Sequence, residues 1–218
     1  MQCEYRDRKI VLEFTHLLEK SKQLFTGLRS LPQHGHKHWQ FYFSRTFDVY
    51  TKLWKYQQQH RTLLNEEYGL RRWQIGEIAS KIGQLYYHFY LRTSEVTYLL
   101  DAYEFYAAIR GRGYYTKAAD ESNGDLMIKR LRYYTRFIVV SLLTRKLKVV
   151  EELISELDDV IMEYGDSYDP EDQIQWTMVS SEVKAFLAVE CAIIIEDPEC
   201  KKSLRTKTRY ISTQLSRL

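Results

Sequence analysis

The sequence predicts an all-α fold, an array of about seven antiparallel helices, and three observations carry that prediction. Twenty of the thirty-one aromatic residues fall between Trp39 and Tyr115, many of them three or four residues apart. Only three prolines occur, Pro32, Pro170 and Pro198, each where a helix is expected to begin or end. No stretch shows the apolar–polar alternation of a half-buried strand.

The first helix is predicted over about 7–29, with Val11, Phe14, Leu18, Phe25 and Leu28 as its stripe and Gly27 and Leu31-Pro32 marking its end. The second runs over about 37–65, where Trp39, Phe43, Phe47, Tyr50 and Trp54 step by four, four, three and four. Gly69 separates it from a third over about 70–91. There Ile75, Ile78, Ile82, Leu85, Tyr86 and Phe89 make a stripe wide enough for a well-buried helix. Ser94 is the expected N-cap of a fourth, about 95–110, because its hydroxyl can accept from a first-turn amide. Gly111 and Gly113 supply the left-handed conformation that ends helices.

After a polar turn at Asp120–Asp125, a fifth helix is expected over about 125–144 and a sixth over 147–164, stopped by Gly165. Asp169-Pro170-Glu171 starts the seventh, with a capping carboxylate and proline at the first helical position; it should reach Ile195. Pairs three–four and five–six loosely echo tetratricopeptide-type pairs: Gly83 with Tyr86 on one helix, then Ala102 and Tyr106 on the next, resemble its small-residue and aromatic positions, although pair five–six lacks the glycine. The long 91–99 connection argues for a non-repeating array instead.

Composition narrows the class. The apolar runs, Phe137–Val140 and Ala192–Ile195, fall far short of the ~20 residues a transmembrane helix needs, and the charged N-terminus lacks a signal-peptide core. Three scattered cysteines, Cys3, Cys191 and Cys200, make no disulfide framework and suit a reducing compartment. Residues 199–218 carry six Lys/Arg against Glu199, or +5, so the rest of a chain with total charge +3 carries −2. The expected organisation is an all-helical interaction domain over 1–197 and a basic C-terminal tail over 198–218.

Four segments carry a family resemblance: Glu19–Phe25; Phe47–Lys55; Gly69–Tyr87, with its Trp73-Gln74-Ile75-Gly76 run; and Leu131–Tyr134 with Arg136–Val140. Over about residues 10–195 they closely resemble the N-terminal helical region of the SCAI (suppressor of cancer cell invasion) family. The resemblance implies a transcriptional cofactor of nucleus and cytoplasm. Such a cofactor represses the serum response factor pathway by binding myocardin-related coactivators, with a further tie to double-strand-break repair through protein partners. Family members continue into a long C-terminal region of mixed α/β character. The basic tail after about 195 does not match the family, so the chain is expected to be a truncated, short or divergent form.

Candidate sites are few. His34, His36 and His38 fall within five residues, but Lys37 sits among them and no acid or cysteine is near; a solvated loop is expected, with no metal. Arg71, Arg72 and Trp73 precede the third helix, and Arg110, Arg112, Tyr114 and Tyr115 follow the fourth, so antiparallel packing would gather them at one end. Lys129, Arg132 and Arg136 share a face of the fifth helix beside Tyr133. Guanidinium forks next to aromatic faces suit acidic peptides, phosphate groups or a nucleic-acid backbone. The competing reading is solvated faces paired with acids such as Glu77 and Glu104.

The tail, with Leu204, Tyr210, Ile211 and Leu215 among its cations, suits nucleic acid, an anionic membrane or an import receptor, or is simply a chain end. Trp54, Tyr86, Tyr106 and Tyr134 are expected in the core. Asp158, Asp159, Asp166 and Asp169 are read as helix-end and loop charges. No nucleophile–base pair, phosphate loop or ligand cluster is recognisable, so no enzyme and no cofactor are expected. A protein-interaction scaffold is the favoured reading, and a nucleic-acid-binding accessory factor the alternative.

Overall fold

The computed structural model describes residues 2–32, 38–116, 124–167 and 170–196. Among them it is all-α: α1 (Gln2–Arg29), α2 (Trp39–Gln59), α3 (Arg61–Leu63), a π-helical turn (Leu64–Tyr68), α4 (Arg72–Thr93), α5 (Val96–Gly111), α6 (Gly124–Leu143), α7 (Leu147–Ser167) and α8 (Pro170–Glu196). The chain forms two compact units, 1–115 and 116–218.

In the first unit, α1 buries Ile10, Phe14, Leu17, Ser21, Phe25 and Leu28. Phe14, Phe25 and Leu28 of the predicted stripe are among them, whereas Val11 and Leu18 are half-buried on its flank, next to Ile10 and Leu17. The stripe packs on α2, where Phe25 meets Tyr50 edge-on at 6.2 Å. Lys52 Nζ meets Glu13 Oε1 at 3.0 Å, and the Tyr56 hydroxyl lies 3.5 Å from the Ile10 carbonyl, so the two helices run antiparallel. The Lys52 bond holds the Glu13 carboxyl below its usual range.

The other face of α2 meets α4 through rings. Phe89 lies 5.5 Å from Trp39, 5.4 Å from Phe43 and 5.7 Å from Phe47, and Phe47 lies 4.9 Å from Tyr86. Each such pair adds about 0.5–1.5 kcal/mol beyond the area it buries. Arg92 closes this cluster. Its guanidinium sits 5.5 Å from both the Trp39 and Phe43 centroids and donates to the carbonyls of Pro32 (3.1 Å) and Leu31 (3.4 Å), just past the end of α1. Burial of this cation lowers its pKa.

Helices α4 and α5 pack most closely where small residues meet large ones. A Cβ at Gly83 would lie 3.1 Å from the Tyr106 ring, and Tyr106 is fully buried. Gly83 and Tyr106, read from sequence only as small and aromatic positions of a helix pair, therefore meet directly here.

Local chemistry corrects four predicted boundaries. The second predicted helix breaks at His60 (φ −112°, ψ 24°), after three glutamines that bring no apolar side chain to continue the stripe. The chain then turns through α3 and the π-helical segment, whose end is fixed by Gly69 in the left-handed region (φ 72°). This detour buries Leu64 completely and sets Tyr68 edge-on against Phe14 at 5.1 Å. Ser94 does not cap α5. It ends α4 with φ 60°, and the hydroxyl of Thr93 instead accepts the Glu95 amide at 3.2 Å. Of the two glycines after α5, Gly113 is left-handed (φ 58°) and Gly111 is still helical. In the second unit α7 runs past Gly165 to Ser167.

The second unit stacks α6, α7 and α8 in sequence order. Helix α7 buries Val150, Leu153, Ile154, Leu157, Val160, Ile161 and Tyr164, a stripe broad enough to serve neighbours on two sides. Arg130 of α6 pairs with Glu163 of α7 at 2.9 Å, half-screened from solvent. Asp158, read from sequence as a helix-end charge, instead sits mid-helix. It accepts from the buried Ser180 hydroxyl and from Lys184, each at 2.6 Å, tying α7 to α8. The turn before α7 places Arg145 in the left-handed region (φ 62°).

Of the rings expected in the core, Tyr106 is buried, whereas Trp54, Tyr86 and Tyr134 are half-buried at helix–helix seams. Two phenols, Tyr50 buried and Tyr134 half-buried, give stability a pH signature. Burial pushes Tyr50 up to about 12, its bond to Ser21 working the other way, and burial with the nearby Glu156 charge does the same for Tyr134. A folded pKa above the unfolded value near 10 stabilises fully below pH ~10 and is lost as pH rises towards 12. Urea unfolding measured from pH 8.5 to 11.5 is therefore expected to show a steep loss above pH 10, flattened in Tyr50→Phe. An unchanged slope in that variant would contradict the assignment.

Candidate recognition cleft at the α2–α4–α5 end

Helix polarity brings one predicted cluster together. Because α4 and α5 run antiparallel, the start of one meets the exit of the other, and Arg72 Nη2 donates to the Arg112 carbonyl at 2.6 Å. The Arg72 guanidinium also lies 5.8 Å from the centroid of the Tyr114 ring, and Arg112 Nη1 donates to the Tyr114 hydroxyl at 3.3 Å. Tyr114, itself buried, thus holds two arginine heads.

Its position depends on Gly76. A Cβ there would stand 2.8 Å from Tyr114 Cβ, so only glycine admits the 113–115 segment this close to α4. The first turn of α4 is fixed separately, by the Arg71 amide donating to Gln74 Oε1 at 2.7 Å.

The end of α2 completes a cleft of about 470 Å³. Gln57, Gln58 and Arg61 line it together with Arg72, Ile75, Arg112 and Tyr114. Three guanidiniums border it, and no carboxylate lines it. Among the described residues Arg61, Arg72 and Arg112 form no ion pair; neither Arg72 nor Arg112 is neutralised by Glu77 or Glu104. Gln57, only 2% exposed, also lines the cleft.

The remaining predicted residues distribute differently. Arg71 is exposed beside the cleft, while Trp73 and Arg110 are half-buried and engaged elsewhere. In the second unit Arg132 is exposed and Lys129 and Arg136 are half-buried and engaged. Tyr133 is 2% exposed against Tyr134 and Phe137, and its ring is inside the fold. Sequence reasoning missed Gln57, Gln58 and Arg61. Gln57 and Gln58 lie on α2 and Arg61 on α3, beyond the break at His60.

His38 is exposed, and His34 and His36 lie outside the described residues, as do the 120–123 part of the polar turn, Asp169 and the basic tail. No group of three or more His, Cys, Asp or Glu able to hold a metal occurs among the described residues, and no described helix is long and apolar enough to cross a membrane.

The family description "Protein SCAI" matches residues 16–217. The chain belongs to the SCAI family. Two curated relatives, Protein SCAI of Mus musculus and of Homo sapiens, are each 58% identical over 191 residues, covering 88% of this chain and 32% of theirs. Protein SCAI homolog of Dictyostelium discoideum is 48% identical over 206 residues, covering 94% of this chain and 26% of its own. The chain thus spans about a third or less of the length of these SCAI relatives. The match to 217 also corrects the expectation that the basic segment after 195 falls outside the SCAI pattern. No solved structure matches the chain.

Proposed function

We propose that this chain is a non-catalytic recognition module of a transcriptional corepressor acting in nucleus and cytoplasm. It docks an acidic segment of a myocardin-related coactivator of serum response factor and represses by occupying that segment. The same docking mode would serve protein partners in double-strand-break repair. The observation that supports this reading is the cleft: three arginines and a buried amide, without a lining carboxylate, at one end of a helical scaffold. Protein binding is favoured over nucleic acid because three guanidiniums in one concavity make a point contact, whereas a polyanion needs a track of cations.

Arg61→Glu and Arg72→Glu are each expected to weaken coactivator capture by the 218-residue chain about tenfold or more, since a charge-assisted hydrogen bond contributes roughly 1.5–3 kcal/mol. Arg132→Glu should change it far less. Equal loss at Arg132, or no capture of any coactivator by the unaltered chain, would overturn the assignment.

A further inference from the structure

We infer that the cleft between α2, α4 and α5 is a phosphomonoester site, so that the partner segment is recognised when a side chain on it is phosphorylated. The inference rests on the docking reading above and adds the chemistry of the docked group.

Charge comes first. Arg61, Arg72 and Arg112 bring three positive charges to one concavity in which no carboxylate lies. A single carboxylate would neutralise one of them and saturate its two oxygens on one guanidinium fork. A phosphomonoester carries about −1.5 to −2 at neutral pH and offers three strongly accepting oxygens, a closer match to three separate forks.

Donor supply points the same way. Arg72 spends one N–H on the Arg112 carbonyl, and Arg112 spends one on the Tyr114 hydroxyl. Each guanidinium has five donors, so most of both forks remain available. The Tyr114 oxygen accepts from Arg112, which leaves its own proton to be donated. Gln57, largely buried, adds a carboxamide to the cleft lining. The donors are also pre-positioned: the Tyr114 ring holds Arg72, and Gly76 seats Tyr114 against α4.

The test uses the full chain and side-chain N–H resonances of Arg and Gln, titrated with N-acetyl-O-phosphoserine methylamide, its aspartate counterpart, inorganic phosphate and a short oligothymidylate. The phosphoserine probe is expected to shift Gln57, Arg61, Arg72 and Arg112 saturably and to bind about tenfold tighter than the aspartate probe, one extra charge-assisted bond being sufficient for that ratio. Its affinity should fall as pH drops through about 6, where the phosphate takes up a proton. Arg61→Ala, an exposed and structurally benign change, and Gln57→Leu should each remove most of the selectivity.

Equal binding of phosphoserine and aspartate, or tighter binding of the oligonucleotide at these residues, would overturn the inference. Coactivator capture that still depends on Arg61 would then leave the docking reading standing. Phosphoserine selectivity without any coactivator capture would do the reverse.

Discussion

Replacing Phe14 by alanine is expected to destabilise the first unit by about 3–5 kcal/mol, the usual cost of deleting a large buried ring. Phe14 is fully buried in the middle of the α1 stripe and makes an edge-on contact with Tyr68 at 5.1 Å. The loss therefore combines transfer of the ring, the cavity left behind and a ring pair of roughly 0.5–1.5 kcal/mol. The site cannot easily collapse, because Tyr68 is itself held by the π-helical turn that Gly69 closes. In urea the midpoint should fall with the slope unchanged. Hydrogen exchange should accelerate first at Leu64–Tyr68, whose packing platform has gone. Phe14→Leu should recover most of the loss. A cost below about 1 kcal/mol for alanine would mean that the ring is not the anchor of this corner.

The second large effect turns on competing terms at one glycine. By propensity alone, Gly76→Ala in the helix interior should stabilise by up to about 1 kcal/mol. The new methyl would, however, stand 2.8 Å from Tyr114 Cβ and 3.4 Å from its Cγ. These atoms are tied to the backbone and cannot swing away as a flexible tip would, so the 113–115 segment must shift. Overpacking of this kind costs about 1–3 kcal/mol and outweighs the propensity gain. Net destabilisation of about 1–2 kcal/mol is expected, larger for valine, with weakened anion binding because Tyr114 no longer holds Arg72 and Arg112 in place.

Gly27→Ala is the control. That position lies within α1 with nothing within 4 Å of the added carbon, and it should gain stability by about 0.5–1 kcal/mol. If both substitutions stabilise, the close approach at Gly76 is not a constraint.

The helices were legible because their signal is periodic and local: α4 and α5 emerge within two residues of the predicted limits. What was not legible depends on partners distant in sequence. The break at His60 looks in sequence like any polar turn of a helix, and becomes necessary only because Leu64 and Tyr68 can reach α1. Ser94 is a good N-cap by residue type, but its left-handed conformation ends α4, and α5 starts after Glu95 with no side-chain cap. In the cleft, Arg72 and Arg112 could be placed together from helix polarity alone. Arg61 and Gln57 could not, since their approach follows from how α2 lies across α4. Tyr133 was misplaced on the surface for a related reason: the face bearing Lys129 and Arg136 borders the core.

The four tryptophans are divided unequally between the two halves of the chain: Trp39, Trp54 and Trp73 before Tyr115, Trp176 after it. Trp176 is buried on α8, so phenylalanine at the other three positions would leave one emitter reporting only its own surroundings.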